Sequence, residues 1–369
     1  AEIAMVEIAD HVGGTFREGA PIVAVDSLDG FGLDELRTAL DELVAETPES
    51  ADRGRPRLWI DRVFAAKGAG TVVTGTLTGG RLHHDESVVI EPGAHEARIR
   101  SIQSLGSTVD EIGAGNRVAL NLNGVGHDEI GRGDAVVTPG RWRTTDRFDA
   151  SLDVLPALDH EVSRRGAYAA YVGSREVPVR LRVLGSEALA PGSSGAVRLF
   201  LPVELPLLPG DRFVLRESGR DETVGGGEVL DIDPRLRAAS AAPDRSIERV
   251  VAERSWVDVD ELELLTGQLV EPTVGRWVTT PDELEATRER LLAMVAAAGA
   301  IGLELASVAD HERAVLESIY EVALDGGYAR RADVVDPFAD HPLAAEVLAG
   351  GFAPDLPTDV DRNVVRELT

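Results

Sequence analysis

Between residues 57 and 234 the apolar side chains alternate with polar ones in short runs, and this period of two confines half of the chain to antiparallel β-structure. Leu58-Trp59-Ile60, Thr71-Val72-Val73-Thr74, Ser87-Val88-Val89-Ile90, Arg98-Ile99-Arg100 and Val118-Ala119-Leu120-Asn121-Leu122 are separated by Gly, Asp or Pro turns. That spacing predicts a closed or sandwiched β-domain over residues 57–139. Strand side chains point to opposite faces in turn, so Val118, Leu120 and Leu122 are expected inside, with Arg117, Ala119 and Asn121 on the other side. A second β-domain is expected over 143–235, with strands around 179–183, 197–199 and 212–215.

Outside these limits the period becomes helical. Pro21-Ile22-Val23-Ala24-Val25 reads as a strand of the buried parallel type, followed by the turn Asp26-Ser27-Leu28-Asp29-Gly30. Leu33, Leu36, Leu40 and Leu43 then recur at helical spacing, with Asp34 and Glu35 in the first turn where the helix dipole favours acids. Residues 1–52 therefore read as the end of an α/β domain, and 47–56 as a linker. Beyond Pro234, Asp258 with Glu261 and Thr280 with Glu283 are helix starts, the second with Pro281 in its first turn. Leu284, Leu291, Leu292 and Val295 line one helical face as far as Gly299. Val274-Gly275-Arg276-Trp277-Val278 reads as a short strand or wing. Helix, helix, ribbon, helix is the order of a winged-helix unit, expected over 240–308, with a second unit beginning at 309–369. The fold class is thus a multidomain chain: an α/β remnant, two antiparallel β-barrels and an α-rich, winged-helix-like region.

Composition narrows the chemistry. Without cysteine there is no disulfide, zinc–thiolate site or thiol nucleophile, which fits a reducing cytosol. No apolar run is long enough to span a membrane, so no membrane partner and a cytoplasmic location are expected. The chain opens on Ala1 and stops at Thr369 within a helical pattern, and truncation at both ends is expected. A net charge of −27 opposes a nucleic-acid partner, but the acids are unevenly spread. Acids and bases nearly balance over 57–139, whereas beyond Ser240 acids outnumber bases by roughly two to one. The C-terminal third is the poorest RNA surface and reads as a spacer; its Arg330-Arg331 pair reads as a solvated turn. Lys67 is the only lysine.

Two glycine-rich runs invite a phosphate-loop reading and fail it. Lys67-Gly68-Ala69-Gly70-Thr71 lacks the GK[ST] ending and is followed by strand pattern, so a hairpin turn is expected there. Gly225-Gly226-Gly227 precedes the strand pattern of Glu228-Val229-Leu230 and reads as close backbone packing. His83, His84 and His95 lack metal-ligand spacing and read as surface turn residues. No nucleophile–base pairing stands out, and no catalytic residue or metal ligand is assigned.

Function enters through resemblance. Leu58-Trp59-Ile60-Asp61-Arg62-Val63-Phe64 followed by Gly68-Ala69-Gly70-Thr71-Val72-Val73-Thr74-Gly75 resembles the opening of the second domain of translational GTPases. Ile130-Gly131-Arg132-Gly133-Asp134 resembles that domain's closing turn. Pro209-Gly210-Asp211-Arg212-Phe213-Val214-Leu215-Arg216 and Thr223-Val224-Gly225-Gly226-Gly227-Glu228-Val229-Leu230 resemble the third-domain signature. The pair Asp61-Arg62, where elongation factor Tu has Glu-Asp, and the extension of about 130 residues past the third domain are similar to the selenocysteine-specific branch of the family.

That resemblance implies a GTP-dependent carrier of selenocysteinyl-tRNA to the ribosome, using GTP and Mg²⁺, with an mRNA hairpin bound by a more distal C-terminal part. It implies that Asp61, Arg62 and Arg132 surround the aminoacyl end of the tRNA. It also puts Asp26, Ser27 and Leu28 at the guanine-contacting loop, although Asp26 replaces the family's serine. The phosphate loop, the switch regions and the Asn-Lys-x-Asp motif do not occur in this sequence. A general aminoacyl-tRNA carrier or another translational GTPase is the alternative within the class. A free-standing β-barrel binding module is the alternative outside it.

Overall fold

A computed structural model describes residues 2–13, 17–66 and 70–334. Helix α1 (Glu2–Val12) leads through turn and extended backbone to α2 (Leu33–Glu46). The helix expected from the leucine spacing forms, with Leu33 and Leu36 half-buried and Leu40 and Leu43 exposed. Gly32 precedes it at φ 71°, and a Cβ there would collide with the carbonyl of Ala24, so glycine is required at this approach. The strand expected over 21–25 does not form. A strand exists by pairing, and among the described residues none pairs with this segment, which stays extended.

The first barrel is built by Arg57–Ala66, Gly70–Thr78, Ser87–Glu91, His95–Ser104, Arg117–Asn123 and Ala135–Val137. Ser87–Glu91 pairs with Ala135–Val137 on one side and His95–Ser104 on the other, which closes the ring. The opening hairpin pairs from Arg57↔Thr78 to Ala66↔Gly70 with one shift after Ile60, so Thr71 to Thr76 lie in a strand and feed no helix. Lys67, Gly68 and Ala69 lie outside the described residues. Val118, Leu120 and Leu122 are buried, while Arg117 is exposed and Ala119 and Asn121 are half-buried, the alternation read from sequence.

The second barrel closes Thr145–Val154, Ser194–Leu205, Arg175–Val183, Tyr168–Val172, Arg212–Glu217 and Glu222–Asp231 in that ring order. Gly225, Gly226 and Gly227 lie within its last strand and not ahead of it. A Cβ on Gly225 or Gly227 would run into the carbonyls of Asp153 and Ser151 on the neighbouring strand, so the close packing expected of this run is present.

The barrels are bolted together near the start of the first. Arg57, 7% exposed, makes a two-pronged ion pair with Asp211, each bond 2.6 Å, and donates to the carbonyl of Pro206. Its guanidinium lies 5.3 Å from the Trp59 ring and 5.0 Å from the Trp142 ring. The linker continues the joint: Arg55 pairs with Glu263 and Arg53 donates to the carbonyl of Gly267.

Those two acceptors belong to the helical part. Helices α3 (Ile247–Arg254) and α4 (Val259–Thr266) start on Ser246 and Asp258 caps, and Val257–Asp258 pairs with Trp277–Val278. Val250, Val251, Leu262 and Leu265 share one core with the second barrel. Helix α5 (Pro281–Ala298), capped by Thr280, packs Leu291 and Val295 against Val315 and Leu316 of α6 (Asp310–Ser318). Leu303–Glu304 pairs with Tyr328–Arg331, which pairs with Val322–Asp325, so one sheet and one core cross the division drawn at 308. Residues 335–369, the rest of the unit expected from 309, lie outside the described residues. Arg330-Arg331 is not a solvated turn. Both residues lie in a strand, and Arg330 is buried with its Nε donating to the carbonyls of Ala300 and Ile301, which follow the end of α5.

Candidate functional site

The strand opening the first barrel is irregular at one place. Ile60 faces Gly75 and Arg62 faces Thr74, so Asp61 is the extra residue of a β-bulge. The bulge turns its carboxylate along the sheet, where it accepts from Thr74 Oγ1 at 2.7 Å and pairs with Arg117 at 2.8 Å. Among the described residues Asp61 makes no pair with its neighbour Arg62. Arg117, 59% exposed, takes that place and went unnoticed in sequence, because nothing local links positions 56 residues apart. Cross-strand proximity was its one available signal.

Arg132 sits in the tight turn closing the same barrel. Asp134 accepts from the amide of Gly131 at 2.7 Å and pairs with Arg175 of the second barrel at 2.8 Å. Gly133 donates its amide to the carbonyl of Ile60, and Ile60 donates to the carbonyl of Asp134. Gly133 has φ 93°, and a Cβ there would lie 2.9 Å from the Cα of Arg175, so the turn has no room for a side chain. Ser174 Oγ also donates to the Ile60 carbonyl. Two backbone bonds thus hold the Arg132 turn against the residue before the bulge.

Arg62 and Arg132 are both exposed, and among the described residues neither has a carboxylate or hydrogen-bond partner. Arg57, Arg81, Arg117, Arg175 and Arg198 of the barrels each pair with an acid, whereas Arg98, Arg100, Arg182 and Arg212 are exposed like Arg62 and Arg132 and, among the described residues, also have no acidic partner. An unpaired guanidinium fixed by a rigid turn can meet a ligand anion without first breaking an internal pair.

The Asp26 turn is less well equipped. Asp26 Oδ1 accepts from the amide of Leu28 at 2.8 Å, its own amide donates to Phe31, and its carbonyl accepts from Gly30. Leu28 is 96% exposed. The Leu28 amide is therefore spent within the turn.

Residues 149–236 match the family model described as "Selenocysteine-specific elongation factor, beta-barrel domain". The chain is similar to the selenocysteine-specific elongation factors. It is 33% identical over 230 residues to the selenocysteine-specific elongation factor of Desulfomicrobium baculatum, covering 62% of this chain and 36% of that protein. For the factor of Haemophilus influenzae the identity is 30% over 225 residues, covering 60% and 35%. Elongation factor Tu 2 of Streptomyces avermitilis is 30% identical, with 58% of each chain covered. The chain thus spans about a third of the two selenocysteine-specific relatives. Among solved structures, a bacterial selenocysteine-specific elongation factor EF-Sec has the same fold at TM-score 0.66 and 20% identity, over 90% of this chain and 59% of that one. The apo elongation factor SelB of Methanococcus maripaludis follows at 0.55 and 21%, over 63% and 56%. No described helix of this chain is long and apolar enough to cross a membrane.

Proposed function

We propose that this chain is the tRNA-handling part of a GTP-dependent elongation factor that carries selenocysteinyl-tRNA to the ribosome. In this reading Arg62 and Arg132 receive the aminoacyl end. The observation that carries the reading is their freedom from acidic partners beside a turn pinned to Ile60. A selenol is far more acidic than a thiol, so selenocysteine is largely an anion at neutral pH, while serine is neutral. A guanidinium beside the selenolate gains a charge-assisted contact, and serine offers nothing to replace it once water is expelled. Asp61 is spoken for by Arg117 and Thr74, so its part is to shape the bulge that directs Arg62. GTP and Mg²⁺ belong to a GTPase domain whose phosphate-binding motifs are not in this sequence. The helical region links the barrels to an mRNA-binding part in winged-helix fashion, and its acidity suits it to a spacer.

The test uses the complete factor bound to GTP. Replacing Arg62 or Arg132 by alanine is expected to weaken selenocysteinyl-tRNA binding by about 1.5–3 kcal/mol, as for a hydrogen bond to a charged group. Binding of the same tRNA carrying serine should change little. Equal losses for both forms would reassign the arginines to the tRNA backbone and favour a general aminoacyl-tRNA carrier, the alternative that the likeness to elongation factor Tu 2 keeps open.

A further inference from the structure

We infer that His160, Glu217 and Glu222 form a binding site for a first-row divalent metal ion, Zn²⁺ in the first instance, on the second barrel. Glu217 ends one strand and Glu222 begins the next, and the two face each other in register across the hairpin. Like charges directly opposed on a ladder are destabilising unless a cation lies between them. His160, from the loop after Thr145–Val154, brings Nε2 to 2.9 Å from Glu217 Oε2 and 3.7 Å from Glu222 Oε1. Among the described residues this trio alone places three ligand atoms of His, Asp or Glu within 4.8 Å of one another. Tetrahedral zinc with bonds of ~2.0–2.2 Å holds its ligand atoms about 3.3–3.5 Å apart, a spacing that the two observed distances bracket.

The far side of the ring supports the assignment. Nδ1 lies 3.1 Å from Asp159 Oδ1, and a hydrogen bond there leaves the Nε2 lone pair facing the two glutamates. This is the carboxylate–histidine arrangement that orients metal-binding imidazoles. Arg220 is the other charged group acting on the ring, and Tyr168 lies opposite Glu217 on the neighbouring strand. Arg220 is half exposed, 3.8 Å from Asp159 and Glu217 and 4.0 Å from Glu222. The Tyr168 hydroxyl is bonded to the backbone of Ser163 and is not a ligand. With a neutral imidazole, three carboxylates and one guanidinium leave two net negative charges, which a divalent ion balances. Bound metal would clamp the 217–222 hairpin to the loop that carries His160, without forming or breaking a covalent bond.

The experiment is calorimetric titration of Zn²⁺ into the chelator-stripped 369-residue chain, with Co²⁺ absorption as a second probe. One equivalent should bind at about pH 7.5, and affinity should fall at about pH 6 as the imidazole protonates. His160→Ala and Glu222→Gln should each weaken binding at least about tenfold, and Asp159→Asn by about 10–100-fold. Circular dichroism in chelator checks that each variant is folded, and Glu222→Gln, at a partly exposed position, stands in if His160→Ala is not. Failure of the parent chain to bind one equivalent would overturn the inference. So would undiminished binding by the folded variants, which would move the ion to other histidines such as His83 and His84.

Discussion

Arg57 offers the most direct test of how the barrels are joined. Its side chain is 8% exposed and that of Asp211 is 15% exposed, so solvent screens the pair little. Replacing Arg57 with alanine removes both bonds to Asp211, the bond to Pro206 and the contacts with Trp59 and Trp142. Breaking a buried pair by removing one partner costs about 3–5 kcal/mol. Asp211 keeps one donor, the amide of Leu208 at 2.8 Å, so the lower end, about 3 kcal/mol, is expected. At about 2–4 °C per kcal/mol for a body of this size, the barrels should melt about 6–12 °C earlier. Calorimetry measures the shift, and fluorescence of Trp59 and Trp142 reports whether the joint itself has opened. The double replacement Arg57→Met with Asp211→Leu should recover part of the loss, because it strands no charge. A loss under about 1 kcal/mol for Arg57→Ala, or a double variant as weak as the two single losses added together, would refute the reasoning.

Gly227→Ala should destabilise the second barrel by more than the ~1–3 kcal/mol of ordinary overpacking, because the new methyl meets the Ser151 carbonyl and not a side chain; a denaturant titration measures this. The pH dependence follows from His160, whose folded pKa lies above the unfolded value of about 6.5. The folded state holds the extra proton, so the stabilisation is full below about pH 6.5 and is lost as pH rises through the folded pKa. In chelator, the melting advantage of the parent chain over His160→Gln should shrink as pH rises above about 6.5. GTP turnover by the 369-residue chain should equal buffer background, since phosphoryl transfer needs positioned phosphate donors and Mg²⁺. Release of phosphate that disappears on mutating Asp26 or Ser27 would contradict this.

The elements whose signals are local were legible. Alternation within each run set the barrel strands, as Val118, Leu120 and Leu122 illustrate, and Asp258 and Thr280 announced their helices because a cap is a matter of three residues. The candidate site was legible as a motif, through Asp61, Arg62 and Arg132, but not in its wiring. Asp61 turned to Arg117 because a bulge, which sequence does not display, rotated it. Arg330 looked solvated because the carbonyls it satisfies lie 29 and 30 residues away.

The sequence by itself determined which face of each strand is apolar, where helices begin, and which residue types are available for chemistry. Only the tertiary structure decided that Arg57 meets Asp211, that two backbone bonds hold the Arg132 turn against Ile60, and that Glu217 and Glu222 converge on His160. It also left residues 21–25 extended, since an apolar run becomes a strand only when another strand pairs with it. The physical reason is the same throughout. Periodicity and capping are settled by neighbours a few residues apart, whereas ion pairs and bulges depend on how barrel closure sets the register between segments distant in sequence.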